Sequence, residues 1–243
     1  MSQPSVEVVV LHANDAERAE QGGADLLHLC SFVGDEARSV APVEVSAVVR
    51  ATDLPVRVTL RLSEGLTTQG GELARLRGLA GDYLSLGVDG FVLGFLTRDL
   101  DIDVEVCTAL VEAFDGAAWN FDRTFDQTLE PDRAWRQLRS LPGLDGVHTA
   151  GAALGMDAGL DDLLNLLARR PEVAPLAVAA GGVRAEHVPW LVRSGVQRLH
   201  LASAVRPGGS WSKSFVDPGF VRSWRTLLDD AIRRTRPPRQ DAG

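Results

Sequence analysis

The segment Trp119-Asn120-Phe121-Asp122-Arg123 gathers an amide, a carboxylate and a guanidinium within five residues. Aromatic and polar side chains alternate, so in a strand Trp119 and Phe121 take one face and Asn120 and Asp122 the other. A core strand has little use for that polar face, whereas a site at the mouth of a barrel does. The same alternation places His28 and Cys30 on one face of a second segment, and Arg57, Thr59 and Arg61 on one face of a third. Together these residues suit proton transfer. His28 and Asp122 would act as acid and base, and Glu7 or Asn120 would orient a hydroxyl. Arg61 and Arg123 would hold a small anionic substrate through paired hydrogen bonds. Asp126 joins Asn120 as a substrate-binding candidate, and Gly181, Gly182 and Ser203 lie where backbone amides could approach a phosphate.

Other chemistry competes at the same positions. His28 and Cys30 offer an imidazole and a thiol at ligand-like spacing, a pair suited to Cu(I). Against this, Cys30 reads equally as a small buried hydrophobe and His28 as a hydrogen-bonded strand residue. The arginines could be spent on Glu7, Asp122 or Asp126 rather than on a ligand. His148 and His200 end later strands between aliphatic neighbours, and their facing is left open. Ser203 with His200 lacks the turn of a nucleophile elbow, which sets a hydrolase triad aside.

Eight short apolar runs, each followed by a helix-like segment, must position these groups. The strands are expected at 6–11, 25–30, 56–61, 90–95, 117–122, 144–149, 175–180 and 197–202. The helices are expected at 14–22, 43–52, 71–87, 103–114, 131–140, 159–170, 185–194 and 217–234. Asn14 and Asp15 are read as caps of the first helix, Pro131 as a first-turn residue, and Gly22-Gly23, Gly87 and Gly195 as helix ends. Eight βα units predict a single (β/α)8 TIM barrel over 1–235, with a flexible basic tail over 236–243. A doubly wound open sheet is the alternative, but no G-x-G-x-x-G follows the first strand. In a barrel the site lies at the carboxyl ends of the strands.

Bulk composition narrows the partners. The 243 residues are 45% hydrophobic, enough for a sizeable core. A formal net charge of −8 repels phosphate backbones, so nucleic acid is not an expected partner. The apolar run Val6–Leu11 is too short for a signal sequence or a membrane span. The two cysteines, Cys30 and Cys107, fit free thiols in a cytoplasmic protein. Lys213 is the only lysine and falls in a late loop, which excludes Schiff-base chemistry at a strand end.

Several segments resemble the CutC family of copper homeostasis proteins. Glu7 followed by Gly22-Gly23-Ala24-Asp25-Leu26-Leu27-His28-Leu29-Cys30 is similar to that family's opening strand and its G-G-A-D-x-I-E-L-C. Val56–Arg61 resembles V-H-V-M-I-R, and Gly94-Phe95-Leu96-Thr97 with Asp99 and Asp103 resembles G-x-L-T-x-D…D. Asn120–Asp126 resembles T-F-H-R-A-F-D, Thr149-Ala150-Gly151 resembles T-S-G, and Ala180–Val183 resembles G-G-G-V. The resemblance implies one cytoplasmic barrel, a homo-oligomer (dimer or tetramer), and copper as the associated ion. Two departures stand out: His28 replaces the family's Glu, and Asp122 replaces its His. If the two side chains face one another, an acid–imidazole pair is kept with its orientation reversed. The last strand, His200-Leu201-Ala202-Ser203, is one residue longer than the family's H-x-S, and Arg61-Leu62-Ser63 lacks R-P-R. The readings are therefore a copper-homeostasis protein, a metal-independent barrel enzyme, and a scaffold that has lost its site.

Overall fold

The computed structural model describes residues 3–33, 36–68, 70–210 and 213–235. The expected tail at 236–243 lies outside them. Eight parallel strands close into a barrel: β1 (Ser5–Val10), β2 (Leu26–Leu29), β5 (Val56–Thr59), β6 (Gly90–Leu93), β7 (Ala118–Phe121), β8 (Leu144–Thr149), β9 (Ala177–Ala179) and β10 (Arg198–Leu201). Each strand pairs with its sequence neighbour in the barrel, and β10 returns to β1. The helices are α1 (Ala13–Gly22), α2 (Pro42–Val49), α3 (Gly70–Ser85), α4 (Val104–Val111), α5 (Pro131–Arg139), α6 (Met156–Arg169), α7 (Val188–Arg193) and α8 (Pro218–Thr235). This is the (β/α)8 barrel the repeating pattern predicts.

Two local expectations change. A hairpin of β3 (Ser31–Val33) and β4 (Glu36–Arg38) follows β2, where a short connection was expected. The cap of α1 is His12 rather than Asn14 or Asp15, with its Nδ1 accepting from Asp15 N at 3.3 Å. Asp15 turns inward instead, where its buried carboxylate meets the buried Arg206 guanidinium at 2.5 Å. Arg206 also donates to the carbonyls of Val9 and Ser214, so this pair ties the exit of β1 to the start of the final loop.

Two environments line the barrel wall. Outward side chains, among them Val8, Leu27, Val58, Phe91, Trp119, Phe121, Val147 and Leu199, merge with the helices in one apolar core. Burying that surface, at about 25 cal/mol per Å² of apolar area, is the main force holding helices to strands. Inward side chains are mostly polar, including Glu7, His28, Arg57, Thr59, Asn120, His148 and Arg198, and all of these are buried. Such a lining is stable only if its members satisfy one another. At the amino-terminal end, Asp145 accepts from Arg57 at 2.7 Å and from Arg198 at 2.6 Å. Above it, Arg57 donates to Asn120 Oδ1 at 2.6 Å. Gly146 makes room for this stack: a Cβ there would stand 2.9 Å from Asn120 Oδ1 and 3.1 Å from Arg198 Nη1.

Candidate functional site

The polar stack rises from Asn120 to the carboxyl ends of the strands. Arginine can only donate, so its bond to Oδ1 turns the Asn120 amide nitrogen toward Glu7 and His148. His148 Nε2 meets Glu7 Oε2 at 3.1 Å. Glu7 is 1% exposed, and its Oε1 has no hydrogen-bond partner among the described residues. Burial opposes the charge on Glu7. His148, by charge and hydrogen bond, and then His200 and His28 outweigh it and hold the carboxyl well below the usual range.

Above Glu7 three imidazoles converge. His28 Nδ1 lies 2.9 Å from His200 Nε2, and His28 Nε2 lies 2.7 Å from the Thr59 hydroxyl. The rings of His148 and His200 are 4.2 Å apart, and those of His28 and His148 are 5.8 Å apart. One ring nitrogen from each of His28, His148 and His200 falls within 4.8 Å of the other two. The strands dictate this. Each histidine sits between residues that face the helices, so all three must point inward. That flanking pattern was the available signal for His148 and His200, which the sequence reading left without a direction.

Burial works against a proton on His28 and on His200. Burial, then the charge of His148, push His28 down to about 4 despite the pull of Glu7. Burial and His148 likewise hold His200 well below the usual imidazole range. Two neutral rings share a single proton across the 2.9 Å contact, and Thr59 completes the chain.

The imidazoles form part of the floor of a cavity of roughly 490 Å³ that opens at the barrel mouth. Its wall includes His28, Cys30, Arg61, Asp122, Arg123, Gly181, Gly182 and Ser203, all expected from the sequence. Arg61 is committed to the wall: it bonds Asp122 at 3.0 Å and donates to the carbonyls of Gly65 and Gly94. Burial opposes ionisation of Asp122, but Arg61 and the Thr124 hydrogen bonds hold its carboxyl below the usual range. Asp122 therefore bonds Arg61 and not His28. Its charge still supports protonation of His28, as a weaker influence than Glu7.

Other candidates lie apart from the cavity wall or from the converging donors. Glu7, Asn120 and Asp126 were expected to meet a substrate, yet none lies on this cavity wall. Glu7 and Asn120 sit beneath the imidazoles and orient His148. Asp126 is buried behind the rim, accepting from Thr149 Oγ1 at 2.6 Å, Ala150 N at 3.0 Å and Arg123 at 3.0 Å. Cys30 lines the cavity but does not join the converging donors, and burial pushes its thiol well up.

The donor set fits a transition-metal ion. Imidazole nitrogen suits such ions, and burial disfavours the competing extra proton on His28 and His200. With metal–nitrogen bonds of about 2.0–2.1 Å, tetrahedral nitrogens stand about 3.3 Å apart, so His28 and His200 need open only slightly from 2.9 Å. Glu7 against His148 supplies the carboxylate that typically backs a ligating histidine.

Fold and site together define a (β/α)8 barrel with a three-histidine centre at the carboxyl end of its strands. The CutC family model matches residues 5–205, and the chain belongs to the CutC family. A CutC family protein of Klebsiella pneumoniae (strain 342) is 29% identical over 214 residues, spanning 86% of this chain and 83% of that relative. Another from Pasteurella multocida (strain Pm70) is 28% identical over 201 residues, 81% of each chain. A solved structure from Streptococcus agalactiae, provisionally designated a copper homeostasis protein CutC, superposes with a TM-score of 0.72. It is 20% identical and covers 82% of this chain and 98% of its own.

Proposed function

We propose that this protein serves copper homeostasis by binding one copper ion, as Cu(I), between His28, His148 and His200. The observation that carries the reading is the convergence of three imidazole donors on a cavity floor. Charge balance favours a monovalent ion. Arg57 and Arg198 are offset by Asp145 and Glu7, and Arg61 by Asp122, so the interior holds no spare negative charge for a dication. The family's copper association adds weight, as does the designation of the Streptococcus agalactiae structure. Two buried free thiols favour a reducing compartment, for which we propose the cytoplasm. No helix among the described residues is long and apolar enough to cross a membrane. We also propose a homo-oligomer, dimer or tetramer.

Anaerobic titration with Cu(I) against a competing chelator, read by native mass spectrometry, tests both stoichiometry and assembly. One copper per chain is expected, retained in Cys30→Ser and lost in His200→Ala. X-ray absorption of the copper-loaded wild type guards against misfolded variants: a nitrogen-only shell is expected, and a sulfur scatterer would sink the assignment. A metal-independent enzyme is the second reading. It draws on the hydrogen-bonded chain Thr59–His28–His200, which could pass a proton to a cavity-bound substrate. No copper uptake, together with a co-purified metabolite, would favour it.

A further inference from the structure

Arg123 also lines the cavity and is not one of the converging imidazole donors. Arg123 is fixed there by Asp126 at 3.0 Å from its Nε, and by the carbonyls of Ala152 and Ala153, each 3.1 Å from Nη2. Its guanidinium packs closely against Gly181. A Cβ at that residue would overlap Nε and stand 2.9 Å from Nη1, and φ there is +75°. Only glycine allows the contact. Three anchors leave Nη1 without a partner among the described residues, and the side chain is one-third exposed, at 34%. An arginine held this tightly, with one donor edge left over, is preorganised for an anion.

Two loops bring more donors to the same cavity. The backbone N–H groups of Gly182 and Val183, after β9, have no acceptor among the described residues. Neither do those of Ser203 and Ala204, after β10. All four residues line the cavity with Arg123. Unused backbone donors beside a guanidinium form a concavity for an oxyanion. The nearby carboxylates do not cancel it: Asp122 is taken by Arg61 and Glu36 by Arg38.

We propose that Arg123 Nη1, the Ser203 hydroxyl and the amides of Gly182, Val183, Ser203 and Ala204 bind the phosphate of a small phosphomonoester. A dianionic tetrahedral group has enough acceptors for donors arriving from two loops and a side chain, whereas a flat carboxylate has fewer. The roughly 490 Å³ cavity leaves room for a few carbon atoms between this subsite and the imidazole floor. The proposal goes beyond the copper reading, because none of these donors belongs to the three-histidine cluster.

Phosphorus NMR titration of metal-free protein with glycerol 1-phosphate tests it, with inorganic phosphate as a second probe and succinate as a competitor of both. Saturable one-to-one binding of both phosphates is expected, weakened at least tenfold in Arg123→Gln. No saturation at millimolar phosphate, equal binding by the variant, or displacement of glycerol 1-phosphate by succinate as readily as by inorganic phosphate would each overturn it. A wild-type measurement covers misfolding of the variant: glycerol 1-phosphate should protect Arg123 from an arginine-selective dicarbonyl while leaving exposed Arg184 reactive. Equal modification with and without the probe also overturns it. Copper stoichiometry measured on Arg123→Gln should stay at the wild-type value, so failure here is separable from failure of the copper site.

Discussion

His28 allows a quantitative test of how burial acts on the imidazole floor. An unrestrained imidazole titrates near 6.5, whereas His28 in the folded protein is pushed down to about 4. As pH falls through 6.5 the unfolded chain takes up a proton at this residue and the folded chain does not. Acid therefore favours unfolding over the window from about 6.5 down to about 4, and the stability is fully present above it. The two values correspond to about 3 kcal/mol over the whole window, and about 2 kcal/mol of it is lost by pH 5. His200 is depressed in the same direction and adds to the loss. Stopping near pH 5 keeps most carboxylates out of the measurement. Urea unfolding followed by the fluorescence of buried Trp119 and Trp135 gives the free energy at each pH. His28→Gln removes the titrating ring while keeping a hydrogen-bonding side chain beside Thr59. Between pH 7.5 and 5, wild type should lose about 2 kcal/mol more than the variant. Parallel curves would mean that His28 takes up its proton over the same pH range in the fold as in the unfolded chain. That result would refute the effect of burial on this imidazole.

Three further perturbations probe the lining and its surroundings. Asn120→Leu strips an acceptor from Arg57 and a donor from Glu7, and should cost about 3 kcal/mol in urea unfolding at pH 7.5; a loss below about 1 kcal/mol would mean the two charges find other partners. Asp15→Ala leaves Arg206 buried without its carboxylate and should destabilise by about 3–5 kcal/mol, with a matching fall in the urea midpoint. Burial pushes both thiols up, so neither Cys30 nor Cys107 should react measurably with a disulfide reagent in the native protein, and both should react once it is unfolded. Rapid labelling of native Cys30 would show the cavity wall to be open to reagent at that point.

The fold was legible because each strand states its faces in period two and each helix follows within a short connection. Leu27-His28-Leu29 and Leu199-His200-Leu201 carry the same message, yet only the first was read as inward. A lone histidine has no partner in the linear chain, and the partners here lie 120 and 52 residues apart along it. Distance in sequence also hid the roles of Glu7 and Asn120. Strand position names the face a residue takes, but not its depth in the barrel, and depth separates a group that meets a ligand from one that orients a histidine. In the sequence, Gly34-Asp35 between two short runs is a hairpin cue that the count of eight strand–helix units did not use. Asp15 looked like a cap because of its place before an alanine-rich helix, and nothing local announced Arg206, 191 residues away.

The stack from Asp145 through Arg57, Asn120 and Glu7 to His148 also constrains how the family can drift. Each member hands a donor or an acceptor to the next, so a single substitution leaves a neighbour stranded and is removed by selection before it can be useful. Change here has to arrive as correlated sets. In an alignment of close homologues these five positions should covary more strongly with one another than with the aliphatic residues between them. New chemistry at the mouth would then be inherited together with a rewired base.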